Sequence, residues 1–206
     1  MKGWKPMESK HLHGNYQKYT NPNPIQQMLI HHFLRTVRDL LTRLSPRVLL
    51  DVGCAEGFVS GYAAPALAAP QVIGVDVDLS ALRRAGTLHP EMHRVVGDAL
   101  ALPLPTKAAD TVLCTEVLEH IPTPERALAE LARVGREYLL LSVPWEPWFR
   151  MANVLRLKNL SRLGDDPEHV NHWTGRGFRG FAQTVGRVEV HVIAFPWQIA
   201  LVRLDT

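Results

Sequence analysis

Arg47 to Gly57 reads RVLLDVGCAEG, and the fold is decided there. Val48, Leu49, Leu50 and Val52 form a short apolar run, which predicts a strand buried on both faces. Asp51 lies near its end, and a turn with Gly53 and Gly57 follows. Gly53 lets the backbone turn sharply and leaves no side chain between the peptide and a ligand. Gly57 falls where the next helix begins and packs close to the strand. This is a strand–turn–helix of the nucleotide-binding kind, but without Gly-x-Gly-x-x-Gly. Its spacing is Asp-x-Gly-Cys-x-x-Gly, with an acid inside the strand. An acid there suits a ligand that brings positive charge rather than a pyrophosphate.

Downstream, strand and helix patterns alternate. An alanine-rich helix is expected from Gly57 to about Ala69, then a buried strand over Gln71–Asp76. Asp76 ends that strand, where an acid that accepts from both ribose hydroxyls is expected. Asp78 reads as the cap of a helix over Ser80–Leu88. A short strand over His93–Val96 runs into Gly97-Asp98-Ala99-Leu100. A fourth strand is expected over Asp110–Thr115, a helix over Glu125–Val134 and a fifth strand over Glu137–Pro144. This alternation predicts a parallel sheet with helices on both faces. Ligands of such sheets bind beyond the carboxyl ends of the strands. Asp51–Gly57, Asp76, Asp98 and Glu116–His120 all follow strand ends.

At these residues the chain resembles the class I S-adenosylmethionine-dependent methyltransferases of the type 11-like group. Their first motif is usually Asp-x-Gly-Cys-Gly-x-Gly, and here Ala55 replaces the middle Gly. Gly74-x-Asp76 and Gly97-Asp98-Ala99-x-x-Leu102-Pro103 also match the family pattern. The resemblance covers about residues 47–144 well and the flanks loosely. It implies an α/β fold, a three-layer Rossmann-like sandwich whose mostly parallel seven-stranded sheet ends in an antiparallel strand. It also implies one methyltransferase domain over 1–206, with an N-terminal arm at 1–24 and an acceptor-site insert at 145–172. The implied cofactor is S-adenosyl-L-methionine, bound by Asp51, Gly53, Cys54, Gly57, Asp76, Val77, Asp98, Ala99 and Glu116. Asp98 would accept from the adenine amino group and the Ala99 amide would donate to the ring. Val77 and Leu100 would be its apolar walls.

The flanks read less sharply. Met1–Asn23 is polar and aperiodic, an arm or loop in which Tyr16 and Tyr19 could close over a ligand. Ile25, Met28, Leu29, Phe33, Val37, Leu40, Leu41 and Leu44 recur at helical spacing, so a helix over Ile25–Leu44 should pack on the sheet, with Asn23 as its cap. From Trp145 to Arg162 aromatic and apolar residues interleave with Arg and Lys. That segment reads as a lid over the acceptor, or as a peripheral membrane contact. Thr174 should cap a helix to about Thr184, and Val188–Ala194 and Ile199–Leu204 should be the last strands.

An oxygen acceptor must lose a proton in methyl transfer. Imidazole suits a general base near neutrality, so His120 is the expected base and Glu119 its orienter or a substrate ligand. Glu116-x-x-Glu119-His120, with His169 four residues before Trp173-Thr174, also resembles the divalent-metal site of small-RNA 2′-O-methyltransferases and of certain quinone-biosynthesis O-methyltransferases. Such an ion would lower the acceptor's pKa. The reading without a metal is preferred, because Glu-x-x-Glu-His-Ile recurs in many methyltransferases of this superfamily with no known metal.

Composition bounds the rest. The 206 residues are 46% hydrophobic and 21% charged, ordinary for a globular chain. A net charge of +3 is too diffuse to argue for nucleic acid. Cys54 and Cys114 do not suggest a disulfide framework, which fits a reducing, cytoplasmic setting. No signal peptide and no membrane span are expected. The expected partner is a small-molecule or lipid-like acceptor, and the oligomeric state is left open. Two other functions stay in view, a metal-assisted RNA 2′-O-methyltransferase and a non-catalytic cofactor-binding partner subunit. A dehydrogenase is disfavoured by the missing Gly-x-Gly-x-x-Gly.

Overall fold

The computed structural model describes residues 15–68, 70–149, 151 and 169–205. Helices α1 (Asn15–Thr20) and α2 (Pro24–Leu44) precede β1 (Val48–Val52) and α3 (Phe58–Ala63). Next come β2 (Gln71–Asp76), α4 (Leu79–Leu88), β3 (His93–Val96) and β4 (Ala109–Thr115). Then follow α5 (Pro124–Val134), β5 (Gly135–Pro144), α6 (Gly175–Ala182), β6 (Gly186–Ala194) and β7 (Trp197–Leu204). The seven strands form one sheet in the order β3-β2-β1-β4-β5-β7-β6. Strands β1 to β5 pair in parallel, and β7 runs antiparallel to both neighbours. The order reverses beside β1, between β1 and β4, where a ligand crevice belongs.

Both faces of the sheet are covered, so its strands read as unbroken apolar runs rather than as alternation. On one face Leu50, Val112, Leu139 and Leu141 meet Leu128 and Leu131 of α5 and Phe178 of α6. On the other, Leu49, Leu113, Leu140 and Leu201 meet Phe33, Val37 and Leu41 of α2 and Val59 of α3. Successive residues of one strand thus serve opposite layers.

Helix α2 starts as its sequence suggests. The Asn23 side chain accepts from the amides of Ile25 and Gln26, and Pro24 occupies the first helical position. Ile25 and Met28, read as part of the buried stripe, are instead exposed, and the apolar stripe facing the core begins at Ile30. Helix α3 is shorter than expected. It ends at Ala63 and tightens into a 3-10 turn over Ala64–Ala66. Pro65 has no amide hydrogen, and in an α-helix its ring would meet the carbonyl four residues back. The supposed arm contains a helix, α1, held by tertiary contacts rather than propensity; Gln26 Nε2 donates to the Lys18 carbonyl. Most of the 145–172 segment, including its proposed lid or membrane face, lies outside the described residues. No helix among the described residues is long and apolar enough to cross a membrane.

Candidate functional site

The β1–α3 loop is bolted to the end of β2. The amides of Gly53 and Cys54 both donate to the Val75 carbonyl, and Gly57 donates to Cys54. Gly53 and Gly57 have φ of +73° and +76°, left-handed conformations that favour glycine. A Cβ on Gly53 would also run into the Val117 side chain. Ala55 stands at φ +45°, which explains why glycine is usual there. Ala55→Gly should therefore stabilise the fold by about 0.5–1 kcal/mol, the left-handed cost to alanine less the entropy glycine loses; thermal unfolding measures it.

Asp76 is the hinge of the arrangement. Its Oδ2 accepts from the Ala55 amide and its Oδ1 from the Asp78 amide, each at 2.8 Å. A carboxylate has roughly four lone-pair sites, so each oxygen can take one more donor. Asp78 does something different: it caps α4, accepting from Ser80. Asp98 fixes its own turn through the Leu100 amide, at 2.8 Å to Oδ1. A cleft of about 380 Å³ brings together Gly53, Asp76, Val77, Asp98, Ala99, Glu116 and His120. Val77 is 68% exposed there. Leu100, expected as a second apolar wall, is half-buried against the core and is not among the residues that line the cleft.

Beyond Gly53 and Glu116 the cleft continues into a tighter space lined by Tyr19, Asp51, Cys54 and Phe58. Gly57 is the N-cap of α3 and lines neither part of the cleft. Asp51 is 3% exposed. Burial raises its pKa to about 7, the Ser60 hydroxyl and amide offset part of this, and the nearby Asp76 charge adds to it. Burial first, then Asp51 and Asp76, push the Cys54 thiol far up, so it is neutral and not a nucleophile. Because the folded pKa of Asp51 exceeds its unfolded value, the folded protein holds this proton over a window in which the unfolded chain has lost it. Stability therefore falls as pH rises from about 4 to about 7. Asp51→Asn should raise the melting temperature of the cofactor-free protein more at pH 8 than at pH 5; equal gains at both would contradict the assignment.

The β4 end supplies the other wall. Glu116 adopts φ +58°, a strained conformation outside glycine that directs attention to its site. Its Oε2 is paired with Lys18 of α1. The next turn, Leu118–His120, buries Glu119 and exposes His120. Asn171 straps it down: its Nδ2 donates to the carbonyls of Leu118 and Ile121, while the amides of Val170 and Asn171 donate to the Glu119 carbonyl. The His169 ring lies 5.0 Å from the His120 ring and 5.4 Å from that of Phe149. One ligand atom each from Glu119, His120 and His169 falls within 4.8 Å of the others. That donor set is chemically suited to a divalent ion. Glu116, read as a fourth ligand, is not part of this group and pairs with Lys18 instead.

Sequence reasoning missed Lys18 and Asn171. Nothing local marks Lys18, because it reaches Glu116 across 98 positions of chain. Asn171 stood between two noted histidines, and an amide side chain able to tie several carbonyls was a readable signal. Gln198 was missed as well. It is fully buried, and its Nε2 joins the carbonyls of Pro144 and Trp173.

The sheet order and acids at successive strand tips define a Rossmann-like nucleotide site without a phosphate loop. Residues 50–138 match a family model described as a methyltransferase domain. A ubiquinone biosynthesis O-methyltransferase of Bordetella parapertussis is 38% identical over 109 residues, covering 48% of this chain and 44% of that protein. A Mycobacterium tuberculosis protein named "Probable S-adenosylmethionine-dependent methyltransferase MT3114" is 35% identical over 107 residues, covering 51% of this chain and 38% of that one. The matched stretch thus spans less than half the length of these relatives. Among solved structures, the magnesium protoporphyrin IX methyltransferase of Synechocystis, with bound S-adenosylhomocysteine, superposes with TM-score 0.68 at 19% identity over 92% of each chain. Residues 50–138 thus resemble a methyltransferase domain in sequence, and the fold is the one found in solved S-adenosylmethionine-dependent methyltransferases.

Proposed function

We propose that this chain transfers a methyl group from S-adenosylmethionine to an oxygen of a small-molecule or lipid-like acceptor. The observation that carries the reading is that Gly53, Asp76, Asp98, Glu116 and His120 border one cleft. The donor and acceptor chemistry fits the cofactor. Asp76 has a lone pair left on each oxygen for the two ribose hydroxyls. Asp98 Oδ2 suits the adenine amino group, the Ala99 amide its ring nitrogen, and exposed Val77 its flat face. Asp51 and Glu116, beside Gly53 and Cys54, suit the cationic end. When bound, the cofactor supplies an electrophilic methyl on a sulfonium; the chain supplies alignment and proton removal. His120 is the base in this reading, with Glu119 behind it in the same turn. The ubiquinone O-methyltransferase relatives support oxygen as the acceptor atom. Two buried free cysteines support a reducing, cytoplasmic setting.

A second reading is favoured by the Glu119–His120–His169 cluster. These residues could hold a divalent ion that binds vicinal hydroxyls of the acceptor, on a phenol or at an RNA end. The test is methyl transfer from labelled S-adenosylmethionine to catechol-type phenols and to short RNA, with and without a chelator. Phenol methylation that survives chelation supports the first reading. Loss on chelation with rescue by magnesium or manganese supports the second, and labelled RNA would move the acceptor class. Tight cofactor binding with no turnover on any acceptor would favour a non-catalytic partner subunit.

A further inference from the structure

The cleft is roomy at its nucleoside end and closed at the other. Around Tyr19, Asp51, Gly53 and Glu116 a space of about 10 Å³ remains, hardly enough for one water. What fills that end comes from α1. The Lys18 ammonium pairs with Glu116 and lies 4.5 Å from the Trp197 ring and 5.4 Å from that of Tyr19. Such a seat, an acid with aromatic faces, is one that any compact cation would take. Tyr19 stacks on Phe58, the first residue of α3, with centroids 4.8 Å apart. Its hydroxyl is held protonated, chiefly by burial and then by the charges of Glu116 and Asp51.

We propose that α1 is a self-inhibiting strap in which Lys18 stands in for the positive charge of the cofactor. This rests on the cofactor roles given above to Asp51 and Glu116. To admit the methionyl end of S-adenosylmethionine, Lys18 releases Glu116 and Tyr19 lifts from Phe58. The incoming charge takes over the acid that Lys18 had neutralised, so the two cations compete for one seat. A helix of six residues has little stability of its own. Once those contacts go, and with them the bond from Gln26 Nε2 to the Lys18 carbonyl, α1 swings on the Asn21–Asn23 joint, which the Asn21 and Asn23 side chains and Gln27 tie to the start of α2. Cofactor affinity is then reduced by the fraction of molecules in which the strap is shut.

The test is calorimetry of S-adenosylmethionine binding to the full chain, as wild type, Lys18→Met and Lys18→Arg, alongside hydrogen exchange of the wild type. Lys18→Met should bind the cofactor about fivefold more tightly, as expected when the competing internal cation of a largely buried pair is removed. Lys18→Arg, which restores the internal cation, should return to wild-type affinity. In the wild type, amides of Tyr16–Thr20 should exchange faster once the cofactor is added. Weaker or unchanged binding by Lys18→Met, or slower exchange of α1 with cofactor, would overturn the strap and make Lys18 a ligand or a bystander. Absence of binding to wild type and variant alike would instead overturn the cofactor roles on which the strap rests. The wild-type exchange experiment decides the matter even if a variant folds poorly.

Discussion

His120→Ala lowers kcat by about 10²–10⁴-fold, the usual worth of a positioned general base, while leaving the dissociation constant of S-adenosylmethionine within about threefold. His120 borders the cleft but its side chain is exposed. The turn that carries it is built from backbone: the His120 amide donates to Val117, and Asn171 grips the carbonyls of Leu118 and Ile121. Truncation to alanine removes none of these bonds. The ring contact with His169 is lost, so thermal unfolding of the variant is measured beside kcat, and activity lost from a folded variant is read as lost chemistry. His120→Gln, polar but not basic at neutral pH, should behave like alanine. Parallel variants separate base from metal ligand. If an ion is held by the cluster, His169→Ala and Glu119→Gln should fail as badly as His120→Ala, and excess metal should restore part of the activity. If His120 acts alone, His169→Ala should retain most of the turnover. A fall in kcat of less than tenfold for His120→Ala, or an equal fall in cofactor affinity, removes the base assignment.

Asp76→Asn should weaken S-adenosylmethionine binding by roughly 10- to 150-fold, equivalent to about 1.5–3 kcal/mol for lost charge-assisted hydrogen bonds. The carboxylate serves two parties at once. On the protein side it accepts from Ala55 and Asp78. On the ligand side it faces the two vicinal hydroxyls expected of a ribose. An amide offers a single acceptor oxygen and two donors, so one loop amide loses its partner and one hydroxyl meets a donor. Part of the loss is therefore structural, and thermal unfolding without cofactor measures it. A destabilisation of about 1 kcal/mol is expected there. Asp78→Asn is the control, because Asp78 caps α4 and asparagine caps as well as aspartate. An unchanged dissociation constant for Asp76→Asn would refute the ribose assignment.

Which parts of this site were readable depended on the distance over which each interaction acts. Gly53, Gly57 and Asp76 were legible because a left-handed turn and a strand-end acid are local constraints. The Asp78 cap was legible for the same reason. The end of α3 was misjudged although Pro65 was in plain view, because alanine content was weighed above the missing amide. Ile25 and Met28 were assigned to the core from period alone, and period does not say where along a helix the burial starts.

The amino-acid order by itself determined the strand–helix alternation, the acids at the strand tips and hence a cofactor with positive charge. Those features follow from hydrophobic period, turn geometry and residue chemistry within a few positions. Tertiary structure alone decided that Lys18 meets Glu116, that Asn171 fastens the Leu118–His120 turn, and that His169 joins Glu119 and His120 while Glu116 does not. The reason is that such pairings join residues about 50 to 100 positions apart, and their geometry exists only once the sheet has brought the strand ends together.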